Sequence, residues 1–317
     1  MIFNKIKLNY NLKLIDDSFK SKDFGEIKQI LAKNKNSNFY INLVDHILKN
    51  HLSYQENTQY FTNKFVWISS YDLADTTYLN DFLDYYLKKE SKFSYDLDDY
   101  KNQISSTFEK VKNVNFPKII SFDDVVNYSY LYQFLLLDIL NKEVVFSNTC
   151  SAFFESDKNR YLIFPHTTIC SFYVIRNPYD LYQKYKNNFK NSQEALNELS
   201  NLNEIKPEEK LKYFIAENRN SWSVNAKSWT NKNVQSTYRG KIIKYEDLLT
   251  NPEDTLNEVV YHLKQSGADI DVKFDLIEDF VKNNSLSEIK IDEHSKKESK
   301  MVQGALDQSI MDEYDYS

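Results

Sequence analysis

The chain has 317 residues, of which 41% are apolar and 27% are charged, and it carries a net charge of −6. This length allows a sizeable buried core, while the acidic balance argues against a nucleic-acid-binding protein, which typically shows a basic stripe. Only four glycines occur, and no two lie close enough for a glycine-rich phosphate loop. This excludes a Rossmann fingerprint and an orthodox Walker loop.

The first part of the chain predicts helices followed by a strand. Residues 1–60 carry apolar side chains at helical spacing, which predicts a helical N-terminal extension. The run Phe65–Ser69 is rich in β-forming residues and predicts a buried strand. Four apolar residues then follow at the i, i+3, i+4, i+7 spacing of an amphipathic helix: Leu79, Phe82, Leu83 and Tyr86.

Three more strand patterns lie further along the chain, at Glu143–Phe146, Ile169–Ile175 and Lys241–Lys244. Helices are predicted to begin at Pro178 and Pro252, because proline is well tolerated at the first helical position. A long helix is predicted from Pro207 to Trp229. Strands that alternate with helices are typical of a mostly parallel central sheet with helices on both faces, so residues 61–285 are predicted to form an α/β domain.

The remaining patterns concern the tail and the compartment. Residues 286–317 are charged and lose periodicity, which predicts a polar, solvated C-terminal tail whose last residues, Asp312–Ser317, are mobile. Cys150 and Cys170 have neither metal-ligand nor disulfide spacing, which favours a reducing compartment. The polar start of the chain lacks the apolar core of a signal peptide, and no apolar run reaches the roughly 18 residues of a membrane span. A cytoplasmic protein without a membrane span is therefore expected.

The segment with the most information about function is Ser171–Asp180, SFYVIRNPYD. A hydrophobic strand delivers Arg176 to its C-terminal end, and Asn177 and Pro178 then open a helix. Ligands of open α/β sheets bind at this edge, where a guanidinium beside helix N–H groups can receive phosphate or sulfate. Alternatively, Arg176 pairs with a nearby carboxylate at the same edge. The spacing leaves both alternatives open.

This segment resembles the R-[DN]-P-x-D element of the sulfotransferase family, which binds the 3′-phosphate of the sulfuryl donor PAPS (3′-phosphoadenosine 5′-phosphosulfate). Two further segments resemble that family in the same order: the helical pattern with Trp222 and Trp229, and the strand, Y-E-D-L turn and proline-started helix of Lys241–Pro252. The resemblance spans residues 63–283. It implies a P-loop-like α/β fold and transfer of a sulfuryl group from PAPS to an unknown hydroxyl or amine acceptor, without a metal.

The resemblance also implies which residues would hold the donor. Thr76 and Thr77 match the end of the family's phosphate loop, and their hydroxyl and N–H groups would contact the 5′-phosphosulfate. Arg176 would bind the 3′-phosphate. Lys184 stands eight residues later, where the family has a serine, and an ammonium there would contact the same phosphate as a point charge.

The phosphate loop departs from the family pattern at two positions. Leu73 stands where the family has a basic residue, and Asp75 stands where it has glycine. Without the basic residue the departing sulfuryl oxygens lose a stabilising cation, and an anionic side chain in the loop repels phosphate.

The base that would deprotonate the acceptor also departs from the pattern. Cys150 falls where cytosolic members of the family carry histidine. Other members use glutamate, so Glu155 is one candidate base, and His166, just before the strand at Ile169, is another. Cys150 is expected to pack as a small apolar residue, since no partner base is identifiable.

Two alternatives to an active sulfotransferase remain. One is a protein that keeps the fold without the chemistry and acts as a binding or structural component of an assembly, with a protein partner; the aromatic content of 15% suits an interface. The other is a glycosyl- or other group-transferase on a related α/β scaffold, which an Asp-x-Asp metal motif at a strand end would favour. Two such motifs occur, Asp96-Leu-Asp98 and Asp269-Ile-Asp271, and both are expected to be acidic turns.

Overall fold

The computed structural model describes residues 65–89, 144–153, 163, 165–189, 191–200, 219–286 and 296–316. Within these residues four strands form one sheet in the order β2-β1-β3-β4, and every neighbouring pair is parallel. The strands are β1 (Phe65–Ser70), β2 (Val145–Thr149), β3 (Thr168–Ile175) and β4 (Gly240–Lys244). The four predicted strands and the α/β class are therefore confirmed, although β2 begins two residues and ends three residues after the predicted Glu143–Phe146. The N-terminal extension predicted at 1–60 lies outside the described residues.

The described residues also form helices on both sides of this sheet. They are α1 (Thr77–Lys89), α2 (Pro178–Phe189), α3 (Ser192–Ser200), α4 (Trp222–Thr230), α5 (Lys232–Thr237), α6 (Tyr245–Thr250), α7 (Pro252–Gln265), α8 (Phe274–Asn283), α9 (Lys296–Ala305) and α10 (Gln308–Glu313). The helix starts predicted at Pro178 and Pro252 are confirmed.

The prediction of one continuous helix from Pro207 to Trp229 is wrong at Arg219–Ser221, while Trp222–Trp229 is helical as predicted. Asn220 has a positive φ of 61°, which interrupts a right-handed helix. Ser221 then caps a new helix, because its side chain accepts a hydrogen bond from the backbone N–H of Val224. Helix α4 therefore begins at Trp222, and residues 201–218 lie outside the described part of the chain.

The sheet separates two apolar clusters, as expected where both faces of a parallel sheet are covered. Alternate residues of β1 point to opposite faces: Phe65 and Trp67 belong to one cluster, and Val66 and Ile68 belong to the other. The first cluster includes buried residues of α2, α3, α4, α5, α9 and α10, and the second includes those of α1, α6, α7 and α8. The core therefore lies on both sides of the sheet, which leaves the carboxyl ends of the strands to present functional side chains.

The prediction of a solvated tail is wrong over 296–316, where buried side chains join the folded core. Helices α9 and α10 place Val302, Ile310 and Met311 in the first apolar cluster, each no more than 1% exposed. Tyr314 and Tyr316 follow them and are buried as well. The sequence pattern missed this because these apolar residues are few and stand among charged ones. The boundary drawn at residue 285 stays a prediction.

The turn before β4 supports a stability prediction at Arg239. This residue has a positive φ of 44°, and its guanidinium donates hydrogen bonds to the carbonyls of Thr168 and Ile169, at the start of β3. We expect Arg239→Ala to lower the free energy of unfolding by about 2–3 kcal/mol, because two charge-assisted hydrogen bonds are lost. We expect Arg239→Gly to lose about 0.5–1 kcal/mol less, because glycine accepts a positive φ without strain. Urea denaturation of both variants measures this, and a glycine variant less stable than the alanine variant would contradict it.

Candidate functional site

The turn between β1 and α1 satisfies its own backbone hydrogen bonds. Asp72 caps the 3-10 turn Leu73–Thr76: its side chain accepts from the N–H of Ala74 at 3.1 Å, and its carbonyl accepts from the N–H of Asp75 at 2.9 Å. The N–H of Thr77 donates to the carbonyl of Ala74. Three N–H groups that a phosphate-binding loop would turn toward its ligand are therefore engaged inside the turn.

The two threonines predicted to contact the donor lie at the end of this turn. Thr76 is buried, and its hydroxyl donates to the carbonyl of Leu73 at 2.8 Å and accepts from the side-chain amide of Asn80 at 3.1 Å. Thr77 is exposed and begins α1. The hydroxyl proton of Thr76 is therefore used locally, and of these two side chains only Thr77 faces solvent.

Arg176 follows β3 directly and pairs with a carboxylate of this turn. Its Nη1 lies 2.7 Å from Oδ1 of Asp75, and the two side chains are only 4% and 3% exposed. The guanidinium also lies over the ring of Tyr245, 4.2 Å from its centroid, and the Arg176 carbonyl accepts a hydrogen bond from Nε1 of Trp222. Of the two alternatives that the sequence left open for Arg176, the structure shows the pairing with a carboxylate.

Lys184 on α2 completes a four-charge cluster with the same turn. Its Nζ lies 2.7 Å from Oδ2 of Asp72 and 3.8 Å from Oδ1 of Asp75. The hydroxyl of Tyr185 also donates to Asp72, at 3.2 Å. Two carboxylates therefore face two cations, and the residues expected to attract the donor's phosphates already have anionic partners. The predicted residues Thr76, Arg176 and Lys184 do come together, around a pair of aspartates.

The two aspartates of this cluster differ in acidity. Burial raises the pKa of Asp75 to about 6, against the opposing attraction of Arg176 and Lys184. Burial acts in the same direction on Asp72, but the hydrogen bond and charge of Lys184 outweigh it, so the pKa of Asp72 lies below its ordinary value. Asp75 is therefore the group in the cluster that takes up a proton in mild acid.

The sequence did not predict the ion pair between Asp72 and Lys184. The position of Asp72 before Leu73 and Ala74 is that of a helix cap, which was a readable signal for the turn. Its pairing with Lys184 joins residues 112 positions apart, and no local pattern predicts such a pair.

Cys150, at the position of the family's histidine, lies in a packed environment. It is 5% exposed, and its carbonyl accepts a hydrogen bond from the side-chain amide of Asn225 at 2.8 Å. Glu155 lies outside the described residues. His166 lies in the 3-10 turn Pro165–Thr167 before β3, and its side chain is outside the described part of the chain. Both candidate bases stay predictions.

A separate ion pair lies beside the turn, at Tyr71. The hydroxyl of Tyr71 donates to the carbonyl of Glu198, whose carboxylate pairs with Arg219. The guanidinium of Arg219 lies over the ring of Tyr71, 5.2 Å from its centroid. Arg219 is thus held in the fold by an anion and a ring, much as Arg176 is.

The C-terminal segment lies on the same edge of the sheet. Glu246, at the start of α6, accepts a hydrogen bond from the backbone N–H of Asn177 and another from the hydroxyl of Tyr316, each at 2.8 Å. Lys244 donates to the carbonyl of Tyr314 at 2.8 Å. The carboxylate of Glu246 therefore occupies the backbone N–H of Asn177, just before α2, as Asp72 and Asp75 occupy the cations.

Nothing in the described residues favours the metal-dependent alternative. They contain no group of three or more side chains that could hold a metal ion. Asp269 and Asp271 lie between α7 and α8 rather than after a strand, and Lys264 is 3.9 Å from Asp271. Asp96 and Asp98 fall in the undescribed part. Across the described ranges, no helix is long and apolar enough to cross a membrane.

The chain is similar to a sulfotransferase domain. The solved structure is titled "Sulfotransferase Domain from the Curacin Biosynthetic Pathway", and the match covers 80% of this chain and 98% of that one at 16% identity, with a TM-score of 0.34. No protein-family model and no curated protein matches the chain. A TM-score this low carries no argument about the site, so the functional conclusion depends on the geometry around Asp75 and Arg176.

Proposed function

We propose that this chain is a sulfotransferase-like protein that does not transfer sulfuryl groups from PAPS, and that it acts by binding, as a component of an assembly. The observation that carries the proposal is the buried pair of Asp75 and Arg176, 2.7 Å apart. The arginine that the family resemblance assigns to the 3′-phosphate is neutralised by a carboxylate of the chain itself.

Whether PAPS fits this site depends on the hydrogen-bond donors that the β1–α1 turn, Arg176 and Lys184 leave available. A phosphosulfate needs N–H groups and cations that point at its oxygens. Here the N–H groups of Ala74, Asp75 and Thr77 donate within the turn, and Lys184 and Arg176 donate to carboxylates. The two carboxylates would also repel the anionic donor. The residues present do not fit PAPS in this arrangement, and we derive no transfer step through it.

A role in binding is supported by aromatic side chains away from this edge. Tyr261 on α7 and Phe274 on α8 are 44% and 50% exposed, and their rings contact each other at 6.2 Å between centroids. Aromatic residues are enriched in protein interfaces relative to the rest of the protein surface. The partner we propose is therefore another protein.

Isothermal titration calorimetry with PAP, the desulfated donor, tests the proposal at pH 7.5. We expect no saturable binding to the full chain. The matched control is Leu73→Lys combined with Asp75→Gly, which supplies the missing cation and removes the blocking carboxylate; we expect this variant to gain PAP binding. Adding Arg176→Ala to it should abolish that binding. Saturable binding of PAP to the unmodified chain, or its turnover of PAPS with hydroxyl or amine acceptors, would overturn the proposal.

PAPS-dependent sulfuryl transfer is the second candidate function. It is favoured by the way in which Arg176, Lys184 and Thr76 converge on one turn at the carboxyl edge of a parallel sheet, where α/β proteins bind ligands. Under this function Asp72 and Asp75 would release the cations when the donor arrives. PAP binding at pH 7.5 that depends on Arg176 would support it.

A further inference from the structure

Asp75 occupies the position on Arg176 that an external anion would take. Its Oδ1 lies 2.7 Å from Nη1 of Arg176 and 3.8 Å from Nζ of Lys184, so one oxygen serves both cations. A carboxylate and a tetrahedral oxyanion compete for the same guanidinium donors, because both present oxygens at hydrogen-bonding distance.

Arg176 has contacts that would keep its guanidinium in place without Asp75. The ring of Tyr245 lies 4.2 Å from the guanidinium carbon, an attractive cation–π distance. Its Nε is buried and has no hydrogen-bond partner among the described residues. A buried donor without a partner is costly, and a bound oxyanion would satisfy it. The guanidinium is thus oriented by the fold, and one of its donors has no partner in the part of the chain that the structure describes.

The charge balance of the cluster depends on the protonation of Asp75. The ionisable side chains that face it are Asp72, Tyr173, Arg176, Lys184, Tyr185 and Tyr245. Outside this group, Asp180 on α2 also acts electrostatically on Arg176 and Tyr245. The pKa of each of the three tyrosines lies above its ordinary value, because burial disfavours the phenolate, so they stay neutral. With Asp72 and Asp75 both ionised, the two carboxylates cancel the two cations. One proton on Asp75 leaves a net charge of +1, while Asp72 keeps its bond to Lys184.

We propose that Asp75 is a proton-operated latch: the ionised carboxylate holds Arg176, and the protonated carboxyl releases it to bind a small tetrahedral oxyanion. The inference rests on the proposed function, because it starts from the state in which Asp75 occupies Arg176. It adds that this pairing is reversible. Burial raises the pKa of Asp75 to about 6, which sets the transition in mild acid.

Sulfate is the suitable probe, because it stays a dianion across this pH range whereas phosphate does not. We expect the full chain to bind sulfate about 30-fold more tightly at pH 5 than at pH 7.5, since the protonated fraction of Asp75 rises by that factor. Asp75→Asn imitates the protonated carboxyl, so it should bind sulfate with equal affinity at both pH values. Arg176→Gln should not bind it at either. Asp72→Asn is the matched control for a general gain of positive charge, and it should keep the pH dependence.

A second measurement needs no variant. Calorimetric titration of sulfate at pH 7.5 in two buffers with different ionisation enthalpies should show uptake of close to one proton per sulfate bound. Binding without proton uptake, or an equal pH dependence in the native chain and Asp75→Asn, would overturn the latch. PAP binding to the native chain at pH 7.5 would instead overturn the proposed function, so the two failures are distinguishable.

Discussion

Replacing Arg176 with alanine is expected to lower the free energy of unfolding by about 3–5 kcal/mol at pH 7.5, because it leaves the carboxylate of Asp75 buried without its main partner. Both side chains are at least 96% buried, so water cannot replace the lost contact. Urea denaturation followed by circular dichroism measures the change. The loss should become smaller at pH 5, where protonation of Asp75 removes the unpaired charge.

Lys184 offers a matched control for this substitution. It pairs with Asp72 at the same 2.7 Å, but the two side chains are 20% and 17% exposed. We expect Lys184→Ala to cost only about 1 kcal/mol, because solvent screens Asp72 and the buried Asp75 keeps its closer partner, Arg176. Combining Arg176→Met with Asp75→Leu removes the buried pair together and should restore most of the stability. An Arg176→Ala variant as stable as Lys184→Ala would show that the buried pair contributes little.

Much of the fold could be predicted because its signals are local. The strands β1 and β3 are buried along their whole length and read as continuous apolar runs. Helix α1 shows its buried face through Leu79, Phe82 and Leu83 at helical spacing. By contrast, α9 and α10 contribute only isolated apolar residues within charged sequence, so their packing depends on tertiary contacts that the pattern does not carry.

The site could be predicted only in part, for the same reason. The placement of Arg176 follows from the rule that ligand-binding residues lie at the carboxyl ends of parallel strands. Asp75, the partner of Arg176, was noticed in the sequence only because it stands where the family pattern has glycine. Its contact with Arg176 joins positions 101 residues apart, and only the folded chain shows it. Asp75, whose carboxylate was expected only to weaken phosphate binding, is thus one partner of a buried ion pair.

The scarcity of arginine in the sequence is a further signal about which side chains make fixed polar contacts. The chain has only four arginines among 40 basic residues, and a bidentate or always-charged contact is one physical reason for arginine to stand where lysine is preferred. The three in the described residues all make polar contacts: Arg176 and Arg219 each pair with a carboxylate, and Arg239 donates to two carbonyls. Each of these contacts fixes a segment that borders the sheet.

The pH dependence of stability should separate the two aspartates of the cluster. The pKa of Asp75 is raised from 3.8 to about 6 by burial, so between about pH 4 and pH 6 the folded state binds more protons than the unfolded state. Stability from this group is therefore present in acid and lost as the pH rises through 6, by about 3 kcal/mol in total. The pKa of Asp72 is lowered, so its contribution has the opposite sign and is lost only as the pH falls below about 4.

Asp75→Asn should remove the decline in stability between pH 4 and pH 6, because the variant has no carboxyl to titrate there. Asp72→Asn should keep that decline and show a smaller fall in stability below pH 4 than the native chain. The measurement is the free energy of unfolding from urea denaturation at half-unit steps from pH 3.5 to pH 7.5, for the native chain and both variants. Comparing slopes rather than absolute stabilities allows for the cost of leaving Arg176 without an anion in Asp75→Asn. Parallel profiles of the native chain and Asp75→Asn from pH 4 to pH 6 would mean that Asp75 does not titrate in this range. The ion pair between Asp75 and Arg176 would then be permanent rather than dependent on pH.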